Sequence, residues 1–451
     1  RREHLATLRN HLPNGRLTMS MWTQALHAAE LTPPDRNRAV DFFRAVAIVT
    51  VVFGHWVANV PFYDGESLQF TKLLVNQPWT QYLTWMVQVM PIFFFVGGYS
   101  NAASWSSSRH HPEKRRIWQA TRFRRLLLPI TPLVVVCAIG AWIGARAGAG
   151  YDDIRNVSRA ALIPIWFLAV YVMVTLVVPI SYRVWQKAGI WSVVTLFALA
   201  VLIDVLGFAG GIGWVRWVNY GFIWLAMHQM GYWWREGNCP PAAPVLLTLA
   251  GVVSLLSLVF VFGYPVAMIS VPGAEVSNSR PPTVAMLAIG LIQSGIILMI
   301  AGRVSRWLEA PRRWAVVILL SQRIMTIYLW HMTAMLLLVA LALLAGGFGL
   351  TPDPGSGLWW LTRPLWLAAL LAVLFPLVVL FGGLESGTRA SDGSLHRPKR
   401  ATHGALLASG GLTFLALQGT ASETLFGVNV VPVFAALAGV ALSAVPWRGS
   451  S

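Results

Sequence analysis

Residues 38–56 read RAVDFFRAVAIVTVVFGHW. From Phe42 onward only Arg44, Thr50 and His55 interrupt the apolar run, which with its flanks is long enough to cross a hydrocarbon core about 30 Å thick. The run exceeds the length of a strand, so it predicts a membrane helix. An ionisable side chain inside a bilayer is costly, and each one is a functional hypothesis. Arg44 and His55 stand eleven residues apart. That is close to three helical turns, which puts both on one face roughly 16 Å apart along the axis. A guanidinium stays charged and grips phosphate bidentately, whereas an imidazole takes and returns a proton near neutral pH. The pair suits an anion at one end of the helix and proton transfer at the other. The structural alternative is a snorkelling Arg and an interfacial His beside Trp56.

The rest of the chain repeats the pattern. Of 451 residues, 56% are hydrophobic and 11% charged, against roughly a quarter charged in soluble proteins. Mean hydropathy is +0.61, with 39 Gly, 26 Pro and 22 Trp. These values exclude a soluble globular, secreted or nucleic-acid-binding protein and predict an all-α polytopic membrane protein. Apolar stretches recur about twelve times, near 40–60, 81–104, 126–147, 161–182, 190–208, 214–234, 243–269, 284–302, 315–345, 358–383, 402–418 and 425–446. Basic residues test that count, because they concentrate on the cytoplasmic side. With the N-terminus inside, 25 of the 34 Lys and Arg fall in cytoplasmic segments and 7 outside, while Arg44 and Arg323 lie within predicted helices. The net charge of +17 is therefore mostly a topology signal. Residues 1–35 lack the apolar run of a signal peptide and are expected to form a cytosolic tail. Residues 36–385 form the membrane core, and residues 386–451 a cytoplasmic loop with one or two C-terminal membrane segments. No internal repeat supports an inverted-repeat transporter. With only Cys137 and Cys239, no disulfide framework is expected.

A second Arg–His pair lies in SQRIMTIYLWH, residues 321–331. His331 is placed about as deep as His55, and Arg323 somewhat deeper than Arg44. If the two helices pack together, they make one polar channel with a phosphate-binding mouth and a histidine-lined centre. Ser321 and Tyr328 are candidates to line it, although membrane helices also use such residues to hold a neighbour. His228, in GFIWLAMHQMGYWWREG, is a third candidate nearer the cytoplasm. The segment SSSRHHPEKRRIWQATRFRRLLLP, residues 106–129, predicts an amphipathic basic helix at the membrane surface. There Arg122 and Arg125 lie one turn apart, and the basic run either marks topology and meets anionic lipid or, through these two, adds to a phosphate site. No glycine-rich phosphate loop, GxSxG elbow or HExxH motif occurs, so nucleotide hydrolysis, serine-triad chemistry and a metal are not expected.

Several of these runs together resemble the acyltransferase-3 family of integral membrane acyltransferases: Arg44 with His55; FFFVGGYS at 93–100; RFRRLLLP at 122–129; WFLAVYV at 166–172; and SQRIMTIYLWH. The resemblance covers roughly residues 36–385 and implies a core of ten membrane helices. It further implies an acyl-coenzyme A donor on the cytoplasmic side and, as acceptor, a hydroxyl of a carbohydrate or lipid at the outer face. By the same resemblance Arg44 and His55 take the family's essential Arg and His, Arg122 and Arg125 its basic pair, and Tyr328 to His331 its tyrosine-leucine-x-histidine run. Where the family has Ser-Gly-Phe, this chain has Gly97, Gly98 and Tyr99, so no hydroxyl-dependent role passes to Gly97.

The expected function is an acyl-coenzyme A-dependent O-acyltransferase in a bacterial plasma membrane, acting on an envelope glycolipid or polysaccharide. Thirty Arg against four Lys fit a GC-rich, actinobacterial genome. His55, His331 and Arg44 are the expected catalytic residues, with the donor's phosphates on Arg44, Arg122, Arg125 and Arg323. His55 acts either as general base on the acceptor hydroxyl or as a nucleophile that carries the acyl group. The rival from another class is a transporter or flippase for a lipid-linked sugar, using the same channel without covalent chemistry.

Overall fold

The computed structural model describes residues 20–386, 398–424 and 426–444. The expected tail up to residue 19 and the loop at 387–397 lie outside the described residues. The helices that matter here are α1 (Met21–Glu30), α2 (Arg38–Ala58), α3 (Met90–Ser107), α4 (Pro112–Leu127), α5 (Thr131–Arg146), α6 (Tyr151–Ala161), α7 (Ile165–Ala188) and α8 (Ile190–Phe208). They continue as α9 (Asn219–Glu236), α10 (Ala243–Phe260), α11 (Val284–Trp307), α12 (Pro311–Leu344), α13 (Gly357–Phe381), α14 (Pro398–Gln418) and α15 (Val430–Ala444).

Each of the twelve predicted apolar stretches contains a helix. Among the described residues, nine helical stretches are long and apolar enough to span a membrane, and α9, α14 and α15 are not among them. For α9 and α15 the physical reasons differ. Helix α9 turns Asn219, His228 and Gln229 inward and is too polar, whereas α15 has only 15 residues. The protein is thus an all-α polytopic membrane protein. Its basic stretch at 112–127 does form a helix, α4, which leads into α5 through a 3-10 turn at Leu128–Ile130.

Close approach of helices depends on small residues. A Cβ on Gly98 would sit 1.8 Å from the carbonyl oxygen of His228, and one on Gly231 would sit 2.1 Å from that of Phe95. Helices α3 and α9 therefore touch backbone to backbone, as small residues allow in membranes. Helix α2 packs against α3, α11 and α12. The C-terminal hairpin α14–α15 closes on itself through Gly404, Gly411 and Gly439 and rests on α4 and α7.

One element departs from the helical plan. Asn59–Tyr63 (β1) and Leu68–Lys72 (β2) form an antiparallel hairpin directly after α2, in a register that pairs Asn59 with Lys72. Its turn is fixed by Gly65 at φ 102° and by Asp64, whose Oδ1 accepts from the amides of Glu66 and Ser67 at 2.9 and 2.7 Å. Those two backbone donors hold the exposed Asp64 carboxyl down at about 2, the Ser67 amide being the stronger cause. The Tyr63 amide donates to Leu350 O at 3.0 Å, which ties the hairpin to the loop after α12.

Candidate active site

Two histidines meet where α2 crosses α12. His55 Nδ1 and His331 Nε2 are 2.8 Å apart, with the rings 23° from parallel. His331 is fully buried and His55 half-buried. A further bond holds the crossing, Trp56 Nε1 donating to His331 O at 2.9 Å, and within α12 His331 Nδ1 lies 2.6 Å from Tyr328 O. A carbonyl oxygen only accepts, so His331 Nδ1 carries a proton. With both rings neutral, His331 Nε2 is then the bare nitrogen and accepts from His55 Nδ1–H. The remaining nitrogen, His55 Nε2, keeps its lone pair. The tautomer of the half-exposed ring is thus set by a buried one, whose own tautomer is set by the backbone.

A polar cluster surrounds the N-terminal half of α2. Arg44 Nη2 donates to Ser100 Oγ on α3 at 2.5 Å, and Arg44 Nη1 meets Asp41 Oδ1 at 3.1 Å. Asp41 also pairs with Arg36 at 2.7 Å. From α4, Arg122 bonds Ser104 Oγ and reaches Ser100 O at 3.4 Å, so two guanidinium groups converge on one turn of α3. Arg125 and Arg44 both act on Arg122 through their charge. Ser100 and Ser104 come to one side because they are four residues apart on a helix. Among the described residues, Asp41 is the one carboxylate in ion-pair reach of these guanidinium groups, through Arg44, and Arg122 and Arg125 have none, so the excess of positive charge suits an anionic ligand.

The family model for an acyltransferase domain matches residues 37–383, more than three quarters of the chain. The chain belongs to the acyltransferase-3 family. It is a membrane acyltransferase, and both the histidine pair and the arginine cluster lie within the matched region. Neither a curated protein nor a solved structure matches it.

The other residues singled out in the sequence take separate places in this acyltransferase. Arg323 donates to Gly382 O just past α13 and acts on Glu385 through its charge. Glu385 in turn accepts from the amides of Met325 and Thr326, each at 3.1 Å. Tyr328 is buried and its hydroxyl donates to Pro164 O at 2.7 Å, while Ser321 Oγ is buried without a hydrogen-bond partner. His228 is fully buried, and its Nε2 accepts from Asn101 Nδ2 at 3.0 Å. Among the described residues, no three His, Cys, Asp or Glu side chains gather as metal ligands.

Sequence reasoning passed over several partners of this site. Tyr171, in the WFLAVYV run, is only partly exposed, and its hydroxyl would stand 2.6 Å from a Cβ on Gly97. The phenol thus occupies the space in which a side chain at position 97 would lie. Ser100, Asn101 and Ser104 carried a signal in their helical spacing. Away from the site, Asp204 also carried a signal, as a carboxylate within an apolar run. It is 1% exposed and caps α11 by accepting from the Val284 amide at 2.8 Å.

Proposed function

We propose that the protein transfers an acyl group from an acyl-coenzyme A bound at the Arg44 end of α2 to a hydroxyl of an envelope carbohydrate or glycolipid that reaches His55 from the opposite end. The observation that carries this reading is the His55–His331 bond, which leaves His55 Nε2 unprotonated inside a membrane protein of an acyltransferase family. The excess of Lys and Arg in the segments at the Arg44 end supports a cytoplasmic placement of that end, with the N-terminus inside a bacterial plasma membrane.

The donor's phosphates fit the cluster of Arg44, Arg122 and Arg125, and the pantetheine arm follows α2 toward the histidines. His55 Nε2 takes the acceptor's hydroxyl proton as the oxygen attacks the thioester carbonyl carbon. The carbonyl π pair moves to oxygen and then returns, which breaks the C–S bond. The departing thiolate takes the proton back from His55. His331 does not touch the substrate; it holds the His55 tautomer that makes base catalysis possible.

The test is transfer of label from acetyl-coenzyme A into lipid and glycan fractions, using membranes with wild type, His55→Ala or Arg44→Ala at matched expression. Wild type is expected to transfer label, and His55→Ala to lose roughly 10²–10⁴ of that rate while still binding donor. Arg44→Ala is expected to bind donor more weakly. Normal transfer by His55→Ala, or no transfer from any donor by wild type, overturns the reading in favour of transport without acylation.

A further inference from the structure

Lys72 ends the β-hairpin that follows α2, and its register partner is Asn59, the residue that caps α2 one turn beyond His55. Lys72 Nζ donates to Asn59 Oδ1, and Asn59 Nδ2 donates to His55 O at 2.7 Å. Two successive hydrogen bonds therefore tie the ammonium to the backbone of His55, at the end of α2 that carries the imidazole.

Among the described residues this ammonium has no counter-ion of its own: the ion pairs involve Arg36, Arg44 and His111, and no carboxylate lies within salt-bridge reach of Lys72. Asp64 is taken up by the hairpin turn and by Gln69 Nε2 at 2.9 Å, and Glu66, the acid nearest in sequence, sits in that turn at the opposite end of the hairpin from Lys72. The carbonyl end of the α2 dipole offsets part of the charge. Burial alone pushes the Lys72 ammonium below the usual lysine range, a cost that remains in the absence of an anion.

We infer that Lys72 is a catalytic residue whose ammonium stabilises the oxyanion formed as the acyl group passes to its acceptor. The inference rests on the acyl-transfer reading above. When the hydroxyl oxygen adds to the thioester carbon, its proton goes to His55 Nε2 and the carbonyl π pair becomes a full negative charge on oxygen. Lys72 stands on the acceptor side of His55 and faces that charge. Collapse restores the C=O bond, expels the thiolate and returns the proton from His55. Lys72 neither gains nor loses a bond; its charge is matched only while the oxyanion exists. A fixed donor of this kind acts mainly on the transition state. Asn59 is a positioning residue, because it holds the ammonium in place without touching the reacting atoms.

The oxyanion is common to transfer and to slow hydrolysis of the thioester by water, whereas acceptor contacts belong to transfer alone. The experiment uses the purified full chain in lipid vesicles containing a native glycolipid extract, with labelled acetyl-coenzyme A. It reads label transfer, thiol release without the extract, donor affinity and thermal unfolding. Lys72→Met is expected to lose roughly 10²–10³ in both transfer and hydrolysis, the cost of one oxyanion donor, at unchanged donor affinity. Lys72→Arg keeps the charge and is expected to recover most of both rates, and Asn59→Ala to lose less than Lys72→Met. Loss of transfer with hydrolysis intact would assign Lys72 to acceptor binding and overturn the inference. Wild-type rates in Lys72→Met would overturn it while leaving the acyl-transfer reading in place. Absence of both activities in wild type would overturn the two together.

Discussion

The tautomer of His55 is set at His331, whose two nitrogens have separate tasks that two amide side chains can imitate one at a time. Asn presents its amide nitrogen near the position of Nδ1 and retains a donor for Tyr328 O, but offers nothing at Nε2. Gln presents a terminal oxygen near the position of Nε2 and can accept from His55 Nδ1–H. The bond to be lost is 2.8 Å long and joins a fully buried ring to a half-buried one. Its removal leaves His55 Nδ1–H without a partner, which costs about 1–3 kcal/mol. Because roughly 1.4 kcal/mol is tenfold in rate, His331→Asn should lose about 5–150-fold in kcat with donor KM unchanged. The loss is smaller than that of His55→Ala because the base itself remains. His331→Gln should keep kcat within about tenfold of wild type, since one neutral hydrogen bond replaces another. The assay is initial-rate acyl transfer at saturating donor, with thermal unfolding in detergent as a control for folding. If His331→Asn works as well as wild type, the bond does not set the tautomer. If His331→Gln is as inactive as His55→Ala, His331 takes part in the chemistry directly. Either result refutes the relay from Tyr328 O through His331 to His55.

Three further outcomes follow from the geometry. Gly98→Ala places a methyl group 1.8 Å from His228 O and must part α3 from α9, for a loss of about 1–3 kcal/mol in unfolding measurements, whereas Gly54→Ala meets nothing within 4 Å and should be neutral or slightly stabilising. Arg44→Lys cannot serve Ser100 and Asp41 in two directions as the guanidinium fork does, and calorimetry should show donor affinity reduced by roughly 10-fold or more, the worth of one charge-assisted bond. The Asp64 carboxyl is held down at about 2, so the turn it organises is intact above the ordinary carboxylate range and is lost only as pH falls through that value. Asp64→Ala removes this cap at every pH and should speed amide hydrogen exchange across Phe62–Phe70, while exchange in α2 stays slow.

The membrane class was legible because transfer of apolar surface depends on local composition, and twelve apolar runs suffice to predict helices before any contact is known. The Arg44–His55 relation was legible for the same local reason: eleven residues advance a helix by three turns with only about 20° left over. The same arithmetic applied to Arg323 and His331 leaves about 80°, so those two side chains leave α12 on different faces. Counting depth alone grouped Arg323 with Arg44, whereas rotation about the helix turns it toward Gly382. The limits of α9 as a membrane span were also local in origin, since its polar residues are visible in the sequence, but their inward placement was not.

What the sequence by itself determined is the all-α membrane class, the apolarity of the helices and the face of α2 that carries Arg and His, all set by composition and periodicity within one segment. Tertiary structure decided the rest. The bond between His55 and His331 joins residues 276 positions apart and depends on the rotation at which α2 crosses α12. The convergence of Arg44 and Arg122 on Ser100 depends on the close approach of α3, and the closeness of Lys72 to His55 depends on a two-stranded hairpin too short to leave an alternating pattern. Hydrogen bonds are directional over a few tenths of an ångström, and only the packing of whole helices fixes positions to that precision.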